Sequence, residues 1–263
     1  MKLASIGSGS SGNCIYVGNE KDHYLVDAGF SRKRILDGLS KIGVQPEKIK
    51  GIFVTHEHMD HISGLGVFLR KYPVPVFATG KTIDAILSTG SLGKMDAGLF
   101  HSIEADRPIR LGDIKVEASA ILHDAADPVC YTFTDGQSKA GVATDFGTFD
   151  DYLVEKMKGC ESLLVESNHD LNMLMVGPYP YPLKRRIMSN TGHLSNERAG
   201  QFLSKVIGKE CRHIYLGHLS KENNYSELAY EAVKIELLIH NINLEKENII
   251  MKVASRTEPT IAW

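Results

Sequence analysis

The 263-residue chain predicts an α/β fold whose sheets are covered by helices. Three observations carry that expectation. Short apolar, β-branched runs alternate along the chain with segments of helical periodicity. An apolar content of 43% and a charged content of 24% are ordinary for a globular core. Polar residues stand at the C-terminal ends of apolar runs: Asp27, His56, Asp145, Glu166 and His218. Those are the positions where α/β proteins place their chemistry.

The elements follow in order. Residues 2–7, 14–18 and 23–29 are apolar runs bounded by Gly, Asn and Asp, and predict strands. Residues 31–43 predict a helix, with Ile35, Leu36, Leu39 and Ile42 at helical spacing and Gly43 as its stop. Residues 49–55 predict a buried strand that continues toward a histidine cluster. A helix is expected over 61–72, a strand over 74–79 and a short helix over 81–90. Later strands are expected at 114–121, 129–135, 139–145, 162–167 and 213–218. Helices are expected at 149–159, 195–208 and 226–239. No repeat, low-complexity tail or clear linker divides the chain, so one domain over 1–263 is expected.

A net charge of -2 argues against binding polyanions through overall charge, and leaves room for a local basic patch. The four cysteines, Cys14, Cys130, Cys160 and Cys211, are far apart and read as reduced core thiols. The N-terminus has no apolar block of the kind a signal peptide carries, and no run is long enough to span a bilayer. A cytoplasmic protein without membrane contact is the expectation.

The densest chemical signal is "THEHMDH", residues 55–61. If the strand runs on through His56 and His58, both side chains point to one face. Asp60 and His61 follow where the chain turns into a helix, which swings them toward a second point. The natural reading is two adjacent metal ions, one on His56 and His58, the other on Asp60 and His61. Imidazole with carboxylate suits zinc, manganese or iron. Further donors must come from elsewhere, and His123, Asp145 and His218 each end an apolar strand.

The ordered set Asp27, His56-x-His58-x-Asp60-His61, His123, Asp145 and His218 resembles the metallo-β-lactamase fold superfamily over most of the chain. The resemblance implies a four-layer αβ/βα sandwich with a dinuclear site along one edge. His56, His58 and His123 would hold one ion, and Asp60, His61 and His218 the other. Asp145 would bridge them, and Asp27 would orient a ligand from behind. The residues after His123 look like the phosphodiesterase and nuclease branch, and the chain has no room for a β-CASP insertion. "GSGSSGNC", "LVDAGFS", "HDAADPV", "VESNHD", "TGHLSN" and "GHLSKENN" resemble the small hydrolases of the YycJ/WalJ type, a resemblance that implies DNA exonuclease activity from the 5′ end.

Supporting motifs add residues. The Gly/Ser stretch with Ser8, Ser10, Ser11 and Asn13 reads either as a tight hairpin loop or as a phosphate contact. "VESNHD" carries Glu166 and His169, and "TGHLSN" carries His193 just before a helix. His193 is the candidate general acid, with Glu166 orienting it. Asp60, His193 and Glu166 are therefore the expected catalytic set. "GPYPYPLKRRIMS", residues 177–189, interleaves Tyr179 and Tyr181 with Lys184, Arg185 and Arg186. It reads either as a solvated loop or as a grip on phosphates and bases. His169 joins these cations and the Gly/Ser residues as an expected substrate contact. The expected function is metal-dependent phosphodiester hydrolysis of a nucleic acid, DNA above all. A small-molecule cyclic phosphodiesterase and a non-catalytic metal-stabilised module are the rivals.

Overall fold

The computed structural model describes residues 1–262. The first apolar runs pair as an antiparallel meander of β1 (Lys2–Gly9), β2 (Gly12–Gly18) and β3 (His23–Val26). Helix α1 (Arg32–Lys41) follows, its N-cap Ser31 accepting from the Arg34 N–H. The chain then switches to parallel pairing through β4 (Ile49–Phe53), α2 (Met59–Ile62), α3 (Leu65–Leu69), β5 (Val76–Thr79), α4 (Gly80–Ser88) and β6 (Phe100–Ile103).

A second sheet repeats this plan. Strands β7 (Ile109–Leu111), β8 (Ile114–Ala120), β9 (Val129–Thr134) and β10 (Lys139–Ala143) are antiparallel. The parallel part adds α5 (Asp151–Met157), β11 (Ser162–Glu166), α6 (Leu171–Val176), α7 (Tyr181–Ile187), α8 (Asn196–Val206), β12 (His213–Gly217), α9 (Ser226–Ile239) and β13 (Ile250–Val253). The last strand, β14 (Thr260–Ile261), returns to pair with β1. The sheet orders are β14-β1-β2-β3-β4-β5-β6 and β13-β12-β11-β10-β9-β8-β7.

Three apolar layers hold four structural ones. Tyr24, Phe53 and Phe77 of the first sheet meet Tyr131, Phe133 and Tyr215 of the second. Ile35, Leu39, Phe68 and Ile86 pack helices onto the first sheet. Leu153, Met157, Phe202, Val233 and Leu237 do so on the second. Each fully buried side chain of this size contributes about 1.5–3 kcal/mol. The result is the helix–sheet–sheet–helix sandwich expected above. Buried tyrosine hydroxyls must find partners, and three of them cross the interface, Tyr24 donating to the Leu111 carbonyl at 3.1 Å. Tyr131 donates to the Val54 carbonyl at 2.7 Å and Tyr215 to the Leu3 carbonyl at 2.7 Å.

Several expectations need correction. β4 ends at Phe53, so His56 and His58 lie in a loop rather than on a continued strand. That loop is pinned by the Tyr131 bond and by Val129 N–H donating to the Thr55 carbonyl at 3.1 Å. The helix expected over 61–72 is two short ones, because Gly64 N–H bonds the Ala28 carbonyl at 2.8 Å instead of continuing the helix. The Gly/Ser stretch is no open loop: β1 and β2 run through it and leave only Ser10 and Ser11 as the turn. Residues 181–187 are helical, with Pro182 in the first turn, where a missing N–H costs nothing. Strands β6, β7, β13 and β14 and helix α6 had no sequence forecast, being short and without clear periodicity. The four cysteines are free and buried, as expected. Among the described residues no helix is long and apolar enough to cross a membrane.

Gly64 is required by space. A Cβ there would sit 1.7 Å from the Phe30 carbonyl oxygen. Gly64→Ala should therefore destabilise the fold by roughly 3 kcal/mol through backbone displacement. Gly80→Ala, whose added Cβ meets only the Ser102 hydroxyl at 3.4 Å, should leave stability unchanged or slightly raised. Chemical denaturation of the two variants checks the contrast.

Candidate metal centre

The strand ends of the two sheets converge on one edge. Asp27 follows β3, Asp145 follows β10 and His218 follows β12. All three adopt left-handed backbone angles, with φ of 63°, 61° and 53°. Such angles are uncommon outside glycine and persist where the surroundings impose them, often at functional sites.

Asp27 prepares the first sheet's contribution. Its carboxylate accepts from the Thr55 N–H at 2.9 Å and from the Thr55 hydroxyl at 3.0 Å. It also lies 2.7 Å from His61 Nδ1. That bond places the His61 hydrogen on Nδ1 and turns Nε2 toward the groove. The same Thr55 hydroxyl lies 3.0 Å from His56 Nδ1. One threonine thus orients two imidazoles, a role the sequence did not signal.

The donors form two groups joined by one carboxylate. His56, His58 and His123 converge closely enough to share an ion, and so do Asp60, His61 and His218. His58 Nδ1 stands 3.3 Å from His123 Nε2. His218 Nε2 stands 3.2 Å from Asp60 Oδ2. Between the groups, Asp145 Oδ1 is 3.4 Å from His218 Nε2 and 3.9 Å from His123 Nε2. Its Oδ2 is 3.2 Å from His61 Nε2, yet out of line for a hydrogen bond. Every residue expected as a metal ligand is here, and each group draws on both sheets.

The donor chemistry fits divalent metals. His56 Nε2 and Asp145 Oδ2 are buried and have no hydrogen-bond partner in the protein. Buried polar atoms are rarely left so, unless something else satisfies them. Burial lowers the His56 pKa well below the ordinary value, which keeps the imidazole neutral and able to donate a lone pair. Burial alone would do the same to His61 and His218, but Asp145 and Asp60 outweigh it. His61 is raised well above its usual value, and His218 to about 10. Without a cation the cluster thus takes up protons in a cation's place.

Glu166 organises the second sheet. It is fully buried, accepting from Leu194 N–H at 2.8 Å, Asp145 N–H at 3.2 Å and Phe146 N–H at 3.3 Å. Burial would raise its pKa, but His193 and the hydrogen bond to His218 bring it down to about 2. Its Oε2 lies 2.9 Å from His193 Nδ1. Glu166, expected to orient His193, stands behind that ring with no exposure of its own. His193 keeps 17% of its side chain exposed, between the rings of His123 and His218 at 5.3 Å from each.

The expected substrate contacts fare unevenly. Ser8 is buried, donates to Asn13 Oδ1 at 2.8 Å and accepts from the His218 N–H at 2.8 Å. Asn13 is buried too, with Nδ2 3.3 Å from His61 Nε2. Both brace ligands and present nothing to a substrate. His169 is 1% exposed, its backbone bridging Ser195, and cannot reach one either. Lys184 donates to the carbonyls of Met175 and Gly177 at 2.7 Å each, and Arg186 pairs with Asp124 beside His123. Ser10, Ser11 and Arg185 remain exposed, with the Ser10 hydroxyl 3.5 Å from the Leu219 carbonyl. Sequence reading also missed Asn168, whose Nδ2 donates to the His218 carbonyl at 2.9 Å.

The fold and the donors have known counterparts. Residues 23–218 match the β-lactamase superfamily domain. Exodeoxyribonuclease WalJ of Streptococcus pneumoniae is 41% identical over 229 residues, covering 87% of this chain and 85% of that protein. Exodeoxyribonuclease YycJ of Bacillus anthracis is 42% identical over 233 residues, covering 89% and 88%. The crystal structure of the metallo-β-lactamase fold protein YhfI from Bacillus subtilis superposes with a TM-score of 0.71 at 15% identity, over 99% of both chains. Zinc-bound PqqB from Methylobacterium extorquens gives 0.71 at 14%, over 100% of both. The chain therefore belongs to the β-lactamase superfamily, and its sandwich is the metallo-β-lactamase fold.

Proposed function

We propose that this chain is a dinuclear metal-dependent phosphodiesterase that degrades DNA from a 5′ end. The observation that carries the metal part is the pair of unpartnered buried donors, His56 Nε2 and Asp145 Oδ2, inside two three-donor groups. His56, His58 and His123 would hold one ion and Asp60, His61 and His218 the other, with Asp145 between the two groups. Zinc, manganese and iron all suit this mixture of imidazole and carboxylate. Such ions, when bound, acidify water and offset phosphate charge. DNA as substrate is supported by the two relatives named exodeoxyribonuclease, which align over most of the chain. A single domain working in the cytoplasm is part of the same proposal.

The protein's own groups supply the rest. Asp27 and Thr55 fix the tautomers of His61 and His56. Glu166 accepts from His193 Nδ1, so a second proton taken up by the ring sits on Nε2, from where it can pass to the departing oxygen. Asp60, with 24% of its side chain exposed, is the ligand nearest solvent on the second group. It sits where it can orient the attacking water.

The first test concerns protons. His61 and His218 are raised above the unfolded value of about 6.5, so in chelator-treated protein they add stability below that pH. That stability is lost as pH rises toward the folded value of about 10 for His218. Metal binding needs them deprotonated at the donor atom, so the metal-loaded protein should show the opposite trend and lose its ions in acid. Melting curves of both forms at pH 6.5 and 9 check this, and calorimetry in two buffers should reveal proton release on metal uptake. Asp145→Ala should retain fewer ions than the native protein.

A second test concerns His193. His193→Ala should keep its metals but lower kcat by about 10²–10⁴, the scale of a general acid. Unchanged turnover would leave His193 a packing residue.

The substrate is tested with an end-labelled duplex. Release of the 5′ label as mononucleotide or short product, with circular DNA resistant, is the expected result. Intact DNA beside rapid hydrolysis of a cyclic phosphodiester would transfer the assignment to a small-molecule enzyme.

A further inference from the structure

Residues 171–192 make one excursion that begins and ends at the metal centre. It leaves from Asp170, whose N–H donates to the Asn223 carbonyl at 2.9 Å in the loop after His218. It returns at Gly192, whose carbonyl lies 3.2 Å from His123 Nδ1. Within it, α6 and α7 form a hairpin clasped by Lys184 across the carbonyls of Met175 and Gly177. Gly177 approaches the Asn223 side chain so closely that a Cβ would lie 2.7 Å from its oxygen. The Arg186–Asp124 pair ties the other end beside His123. The hairpin thus runs along the rim from one ligand loop to another.

Its surface is unusual for that place. The two helices bury only Leu174 between them. Val176 is 87% exposed, Tyr181 66% and Met175 52%. On α7, the exposed Arg185 stands four residues after Tyr181, on the same helix face. Exposed apolar side chains with an arginine among them thus stand on a hairpin tied to the metal-ligand loops.

Duplex DNA presents charge along its sides and a bare aromatic face only at its ends. Exposed apolar side chains beside an arginine complement a terminal base pair, whose face is bare, together with the phosphate next to it. We propose that the α6–α7 hairpin is an end-recognition platform: Val176 and Tyr181 pack on the terminal base pair, and Arg185 meets an adjacent phosphate. The ligand is a duplex terminus, and the platform confines cleavage to ends. This rests on the reading of the metal centre as a DNA phosphodiesterase.

The test compares native protein with Val176→Ser/Tyr181→Ser on a blunt linear duplex carrying 2-aminopurine at its terminal pair. KM for the duplex should rise about tenfold or more, the scale of one lost base stack, with kcat at saturation little changed. The fluorescence change on binding should shrink in parallel. Tyr181→Phe, which keeps the ring, should restore both. An unchanged KM overturns the proposal, as does a fall in kcat alone, which would mean that the hairpin acts through the metal centre. Weaker self-association with unchanged KM also overturns it, in favour of contact between copies. Should the double variant lose metal or melt early, Tyr181→Ser alone carries the same comparison. If native protein cleaves no DNA at all, the nuclease reading itself has failed, and that outcome appears before any variant is compared.

Discussion

The architecture turns on the carboxylate of Asp145, held out of water between imidazoles from both sheets. A buried carboxylate without a counter-charge is costly, and it forces its neighbours to respond. Here the response is to raise His61 and His218, so that positive charge gathers around it. Much of the surrounding structure serves to keep that arrangement in register. Glu166 holds the Asp145 backbone, Ser8 holds the His218 backbone, and Asp27 holds the His61 ring.

This explains why so many polar side chains lie beneath the groove. A metal site needs donors at fixed angles, and only bonded partners can supply that stiffness. Thr55 and Asn168 are as much a part of the centre as the histidines they steady. The backbone contributes too, since the left-handed turns at Asp27, Asp145 and His218 aim the side chains. Gly64 belongs to the same scheme, because it lets α2 close onto the Ala28 carbonyl, while Ala28 in turn bonds the His61 carbonyl.

The donors were readable because chemistry of this kind is written in residue types: histidines spaced by one residue, and lone polar residues ending apolar runs. The sandwich could be expected from alternating strands and helices, and its four layers from family resemblance. What escaped the sequence was geometry that depends on distant partners. Nothing local reveals that Ser8 and Asn13 face inward, since Gly/Ser runs look like surface loops until β1 and β2 pair through them. His169 and Glu166 appear as reactive groups until their burial is known. The run at 177–189 looked like a proline-rich loop, yet Pro182 starts a helix, and Lys184 turns inward to clasp carbonyls.

The two sheets share a plan of antiparallel strands passing into parallel ones, and the two donor groups on either side of Asp145 each draw on both. His56, His58, Asp60 and His61 come from the first, while His123, Asp145 and His218 come from the second. An ion in either group therefore joins the halves of the sandwich, as a rivet joins two plates. In the unfolded chain the donors are dispersed, so an ion held by either group would favour the closed aromatic interface of Phe53 and Tyr131. Metal uptake then becomes a signal of the final docking event in folding, and the same ions that equip the groove for chemistry resist the separation of the sheets.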